Sequence, residues 1–538
     1  ALNTSQIQAL STALISNLSS VQLSALSTSQ LVALQTDQVM ALSTSGIRGL
    51  SVAQLQALST DKLSLLSEGQ ITALSSQQIA GLQTAQIAGM QAQQVAQLTA
   101  AQALAPTTAQ LAAMRTDQVA AMDADNLAKL DSRQIAVLAT DRVVALTTEQ
   151  AGVLTSAQLR GMTPQQVQAL QTQDLAVMST QQLAGLTTAQ MAVLQTNQLA
   201  SFSTDQIQGL SSAQLQALND SQIKAIELVD LQVMTSAQIR GLGTEQVAAL
   251  TTAQVQALQT EQVAALSLSG VASLQASQLA VMSTDQFIAL GSAQVRALTT
   301  AQLDGLATDK LVAIEAADLK ALSSSQLAAM RASQFAAMTT EQVAALTSQQ
   351  ISALTTEDVR AWSTAQIAAL KWSQMAGFTT DQLTSLKTEQ VAALQTDSIK
   401  VLSSARVASL QTSQLQALTT ANVAALSSGQ VASLTTAAQV SALTTTQVAA
   451  LGSDQIVALT TDQLTALTTA QVQSFKVDHV TALSTEDVSK LSTAQLNALT
   501  TASVAALSTS QVKGLTKAQL TGLGDAGLKA LTTAQVAV

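Results

Sequence analysis

The sequence has no cysteine and no tyrosine, two prolines, one histidine, and only 1% aromatic residues among its 538. Without cysteine there are no disulfides and no thiolate metal sites. A single histidine leaves both general-base catalysis and imidazole metal ligation without partners. Charge is equally scarce: 10% of residues are charged, with 23 basic and 33 acidic side chains and a net charge of −10. Such a chain is a poor partner for nucleic-acid phosphates, which need clustered Lys and Arg. No run approaches the ~18 apolar residues of a membrane span. The chain starts at Ala1 without the charged and apolar regions of a signal peptide. At 47%, the hydrophobic fraction is too high for a disordered acidic tail.

What is present is one motif, repeated. Counted from the small residue before Leu, the first 432 residues divide into 54 octads. One nine-residue unit follows, Ser433 to Ser441 (SLTTAAQVS), and 12 more octads run to Ala537, making 67 units. The consensus is A-L-T/S-T-A/D-Q-V-A. Position 2 is Leu, Met, Ile, Phe or Trp in 66 of 67 units, with Pro106 the exception. Position 7 is aliphatic, Met or Phe, with Ala103 and Ala151 as small substitutes. The chain begins and ends in phase, without the polar capping repeats that solenoids use. We therefore expect an excerpt of a longer array, one continuous solenoid over 1–538.

Eight residues suit neither a long helix nor a strand. At about 100° per residue, a continuous helix would displace its apolar pair roughly 80° per octad and bury no stripe. In a strand, positions 2 and 7 would face opposite sides. The helix must restart in every unit, and the sequence shows where. Thr or Ser at position 3 with Gln at position 6 is the capping box, and Leu at 2 with Val at 7 is the hydrophobic staple of the same helix start. Pro164 follows Thr163 at the first helical position, where proline is tolerated. Of the 33 acidic residues, 20 fall at position 5, near the helix N-terminus; 10 of the 23 basic ones fall at position 8, toward its C-terminus.

Helices this short are unstable alone, so the expected fold is all-α: an α-solenoid of very short helices, one per octad. The Leu and Val positions form its shared interior, about one non-helical residue separates successive helices, and Ala or Gly at position 1 allows close approach. Met114, Met122, Met330, Met338, Phe202, Phe378 and Phe475 read as adjustments of core volume. The octad pattern resumes at Ala442 after the nine-residue unit, as separate modules would allow. No second-order period chooses two, three or four octads per coil.

No catalytic constellation emerges. The hydroxyls lack an adjacent base and are accounted for as caps. His479, at position 6 in "SFKVDHVT", reads as a surface substitute for Gln. "DADN", Asp123 to Asn126, opens like a calcium loop but lacks its turn Gly and terminal Glu. The Met residues lie mainly at core positions, which argues against haem ligation, and Ser, Gln and Asp interrupt any ice-binding row of Thr. The sequence thus assigns no catalytic, cofactor or metal site, and predicts no enzyme. Trp372, at outward position 4 and near Trp362 and Phe378 in sequence, is the one candidate partner contact.

The "LTTAQVAAL"-like octads resemble the low-complexity arrays of very large bacterial surface and secreted proteins of adhesin- or haemagglutinin-like type, over the whole chain. The resemblance implies an extracellular, rod-forming role with end-to-end or lateral self-association. Three roles follow as expectations: a filament, stalk or spacer; an adhesive module binding glycans or proteins along the solenoid face; and an intracellular scaffold docking peptides in its groove.

Overall fold

The computed structural model describes residues 2–435 and 437–538. Among these residues there are 67 helices of four to seven residues and no strand. They form two compact units, Ala1–Leu274 and Gln275–Val538, and each unit is an α-solenoid with one short helix per octad.

The stretch 250–266 shows how the restart is made. Thr251 caps the helix Thr252–Ala257 in extended conformation, with φ −69° and ψ 158°. Leu258 then leaves the helix at φ −60°, ψ 136°, and Gln259 caps the next helix, Thr260–Ala265, at φ −74°, ψ 158°. Two residues separate the helices rather than the one expected, because the inward Leu and the cap each take an extended conformation. Position 2 is thus close to polyproline II geometry, which explains how Pro106 occupies it and stays buried. Pro164 sits in the first helical turn, as its position after Thr163 predicts.

Three octads complete a coil. In the first unit Thr4–Gln8 packs on Thr28–Ala33, and Ser20–Ser24 on Thr44–Gly49. In the second, Ala332–Ala337 packs on Thr356–Ala361 and Thr420–Ala424 on Thr445–Ala450. Each helix therefore rests on the one three places earlier, 24 residues back. Positions 2 and 7 form the interior: Leu23, Leu31, Leu55 and Val143 are fully buried. The expected volume adjusters, including Met114, Met122, Met330, Met338, Phe202, Phe378 and Phe475, are all buried as well. Burying such a side chain contributes about 1.5–3 kcal/mol, which lets helices too short to persist alone hold together as a stack.

Small residues at position 1 set the spacing. A Cβ added at Gly161 would lie 2.6 Å from Ser132 Cβ, and one at Gly49 would lie 2.6 Å from Ser20 Cβ. The last turn of one helix thus lies against the first residue of the helix one coil earlier.

Two irregular units test the scheme. In the nine-residue unit, Thr436 lies outside the described residues. There Gln439 Oε1 accepts from Thr435 N at 2.8 Å, four residues apart instead of three, and the regular box returns at Thr444 and Gln447. In the unit at 522–529, glycine replaces both the cap (Gly524) and the glutamine (Gly527). Leu523 is then helical (φ −68°, ψ −14°) and Gly524 left-handed at φ 64°. Leu528, at the usually buried position 7, is 44% exposed.

Candidate functional site

The polar side chains converge on the junctions between helices rather than on a pocket. Gln254 shows the arrangement. Its Oε1 accepts from Thr251 N at 2.9 Å, and its own N–H donates to Thr251 Oγ1 at 3.1 Å, completing the capping box. Its Nε2 points the other way and donates to the carbonyls of Ile223 (2.8 Å) and Ile226 (2.9 Å), 31 and 28 residues earlier. Those carbonyls end the helix of the preceding coil, where intrahelical donors run out. One amide thus satisfies a helix start and a helix end on successive coils. Gln38, Gln110, Gln342 and Gln495 repeat the pattern, and each is buried.

The bond to the coil beneath was not foreseen from the sequence. A signal for it exists in the substitutes at position 6. Asn422 Nδ2 donates to Leu394 O at 3.0 Å, Arg142 Nε to Met114 O at 2.8 Å, Lys62 Nζ to Val32 O at 2.6 Å and Arg406 Nη1 to Ala376 O at 2.9 Å. Shapes and charges differ, but each of these four is a hydrogen-bond donor. After the nine-residue unit, Gln447, Gln455 and Gln463 reach back 29 residues to Leu418, Leu426 and Leu434. Gln471 then returns to 28, at Leu443. The extra residue is absorbed within one coil.

His479 belongs to this ladder and is not a surface residue: it is 1% exposed. Its Nδ1 accepts from Lys476 N at 3.3 Å, which leaves the proton on Nε2 to donate to Leu451 O at 2.8 Å. Burial holds its pKa below the ordinary histidine value, opposed by the Leu451 carbonyl. In "DADN", Asp123 accepts from Asn126 N at 3.0 Å as an N-cap, and Asn126 Nδ2 bonds to Leu98 O; the segment is an ordinary octad start. Among the described residues no group of three or more His, Asp or Glu is placed to hold a metal ion, and no helix is long and apolar enough to cross a membrane.

Trp372 begins the helix Trp372–Met375 and is 61% exposed. The aromatic residues near it in sequence do not join it. Trp362 and Phe378 are buried, their rings 6.4 Å apart, with Phe335 6.5 Å from Trp362. Trp362 Nε1 has no hydrogen-bond partner there. On the first unit, a recess of about 710 Å³ follows one column of helix caps, Gln195, Asn219 and Gly243, with Asp220 and Glu245 at its edge.

Fold and junction chemistry together define a repeat protein whose most frequent polar side chain is committed to holding coil on coil. The chain belongs to the ALTTAQ repeat family, which matches residues 1–36, 15–44, 31–68, 167–204, 191–225, 223–260, 311–348, 346–380, 399–436, 436–461 and 480–517, together more than half of its length. No curated protein matches the sequence. Among solved structures, the chain is similar to one described as "Structure of APUM23-GGAAUUGACGG", at 12% identity, covering 91% of this chain and 94% of that one, with a TM-score of 0.15. Nothing about this chain follows from so low a superposition.

Proposed function

We propose that the chain is a structural segment, a stiff spacer, stalk or filament of a bacterial surface protein, working outside the cell and without catalysis. The observation that carries this reading is the double bonding of the buried position-6 amides. The side chain that could most readily have served a ligand instead joins each helix start to the coil beneath. A stack held at every junction resists bending, and its length is set by repeat number alone. Electron microscopy of the purified chain, and of versions with 24-residue coils removed, tests it. Uniform rods that shorten in proportion to the residues removed are expected, and compact particles of constant size would defeat the proposal. Immunolabelling of intact cells expressing the native gene tests the location, with a signal only after permeabilisation as the contrary result.

The exposure of Trp372 favours a second reading, an adhesive face that holds a glycan or protein. A glycan array probed with the chain and with Trp372→Ala separates the two readings, since a spacer binds nothing in either form.

A further inference from the structure

Each junction between helices stacks on the junction 24 residues earlier, so the ladder runs in three columns. Toward the end of the second unit the columns differ. In one, Gln495 and Gln519 donate to Leu467 O and Leu491 O at 2.7 Å each. In the next, Gln511 donates to Leu483 O at 2.7 Å and Gln535 to Leu507 O. The third holds His479, with Nε2 2.8 Å from Leu451 O, and its two following places are Ser503 and Gly527. Ser503 is 1% exposed, and its Oγ accepts from Thr500 Oγ1 at 3.0 Å, three residues away rather than 28. Asn422, one atom longer, makes the full reach at 3.0 Å, and Gly527 has no side chain. The carbonyls left without a ladder bond are those of Phe475 and Leu499, both buried residues.

Nowhere else in the sequence do two successive places of one column lack a donor. Gly46, Asp174, Gly270 and Asp487 lack one too, but each has a glutamine 24 residues to either side. The same column carries Gly524, at φ 64° the one left-handed residue among those described, and Leu528, which is 44% exposed.

We infer that this column is a one-sided hinge. The coils part at Phe475 and Leu499 while the other two columns stay bonded, and the solenoid bends there toward its bonded side. A buried carbonyl without a donor costs free energy that water can relieve. Opening the column admits water to both carbonyls, whereas opening either bonded column would first break a glutamine bond. The hinge rests on the reading of the chain as a stiff spacer only for its use: it gives an otherwise stiff array one place and one direction of bend.

Spin labels on cysteine pairs in the full chain, which has no cysteine of its own, measure the opening by double electron–electron resonance. Val477→Cys with Asp525→Cys spans the hinge column over two coils, and Thr485→Cys with Thr533→Cys spans a bonded one; all four positions are exposed. The first pair should give the wider distance distribution, with a tail to longer distances. Thr533 lies further along the chain than Asp525, so simple fraying would widen the second pair instead. Ser503→Gln and Gly527→Gln restore the consensus donor. Together they should narrow the first pair to the width of the second and leave the second unchanged. Hydrogen exchange separates the hinge from looseness of the unit at 522–529 alone. Ser503→Gln by itself should slow exchange roughly tenfold at 475–478 and leave 467–470 unchanged. Equal widths for the two pairs overturn the inference, as does a first pair that stays wide with both glutamines, or unchanged exchange at 475–478. Uniform rods with equal widths would refute the hinge and leave the spacer standing; compact particles with unequal widths would do the reverse.

Discussion

His479 Nε2 lies 2.8 Å from the carbonyl oxygen of Leu451, the same 28-residue bond by which Gln471 reaches Leu443. An imidazole fills the amide's place because its two nitrogens, one donor and one acceptor, match the amide N–H and C=O. The match holds only for the neutral ring, since protonation removes the acceptor that receives Lys476 N–H. Burial lowers the folded-state pKa below the unfolded value of 6.5, so the stability this residue contributes is present above that value and is lost as pH falls through the folded pKa. We expect His479→Gln to abolish the acid loss of hydrogen-exchange protection in 476–483 while leaving it unchanged at neutral pH. His479→Ala should cost about 1–3 kcal/mol at neutral pH, since Leu451 O loses its buried donor. The sign is opposite to that of the buried aspartates Asp174 and Asp358, whose carboxyls burial raises above the ordinary value, so that stability falls as pH rises through their folded pKa.

The two halves of the junction can be weighed at Thr251 and Gln254. Thr251→Ala removes one acceptor at a half-buried helix start and should cost about 1 kcal/mol. Gln254→Leu keeps the volume but leaves the carbonyls of Ile223 and Ile226 without the amide that now reaches both. At about 1–3 kcal/mol for a buried group losing its partner, the glutamine should be the costlier loss. Local exchange around 221–227, four helices earlier in sequence order than the mutation, should rise for Gln254→Leu and stay unchanged for Thr251→Ala. An equal rise for both would show that the capping box alone carries the junction.

Half of that junction was legible in the sequence. Thr251 and Gln254 stand three apart, so the capping box is a local pattern, and the eight-residue period fixes the restart. The bond from Gln254 to Ile226 spans 28 residues, and every octad offers the same Gln and the same Leu, so nothing local marks which carbonyl it reaches. The number of octads per coil was hidden for the same reason: a 24-residue period made of equivalent octads leaves no trace at 24. His479 reads from the sequence as a surface substitute for Gln because the capping box is a local pattern that does not show position 6 turning inward, where the residue is 1% exposed. The donor chemistry shared by Asn422, Arg142, Lys62 and Arg406 was the available clue that position 6 faces inward. Trp372 was placed correctly by its outward position, whereas proximity in sequence grouped it wrongly with Trp362 and Phe378, which lie at position 2.

Glycine at position 1 should divide into two kinds. At Gly161 a Cβ would meet Ser132 Cβ at 2.6 Å and Ser132 O at 3.1 Å, whereas at Gly305 nothing lies within 4 Å. Gly161→Val should therefore cost about 1–3 kcal/mol by overpacking. Gly305→Ala, at the end of the helix Thr300–Gly305, should stabilise by about 0.4–1 kcal/mol through the unfolded chain. Thermal unfolding of the two variants should shift in opposite directions; a shared direction would remove close approach as the reason for small residues at this position.

The unit at 522–529 permits a repair. Gly243, Gly291 and Gly452 are caps without side chains, and each stays extended, at φ −75°, −79° and −87°. In each case a glutamine three residues on accepts from the glycine N–H. Gly46 and Gly270 lack the glutamine, and there Ser43 and Ser267 accept from the glycine N–H instead. Ala139 with Arg142 and Ala307 with Lys310 lack both halves of the box yet stay extended, at φ −70° and −68°, and there Arg142 keeps the ladder bond to Met114 O. Gly524 with Gly527 lacks both halves of the box and a ladder side chain as well. Gly527→Gln alone should then return Gly524 from φ 64° to the extended region, with the new amide reaching the carbonyls of Leu496 and Leu499. Leu528 would move from 44% exposure toward the burial of other position-7 residues. Because the chain has no cysteine, Leu528→Cys gives a unique thiol whose labelling rate reports this directly. The rate should fall at least tenfold when Gly527→Gln is added, and Gly524→Ala should not reproduce the fall, since alanine supplies neither half of the box nor the ladder bond that Arg142 gives the Ala139 junction. An unchanged labelling rate in the glutamine variant would mean that the restart depends on more than the box and the ladder bond.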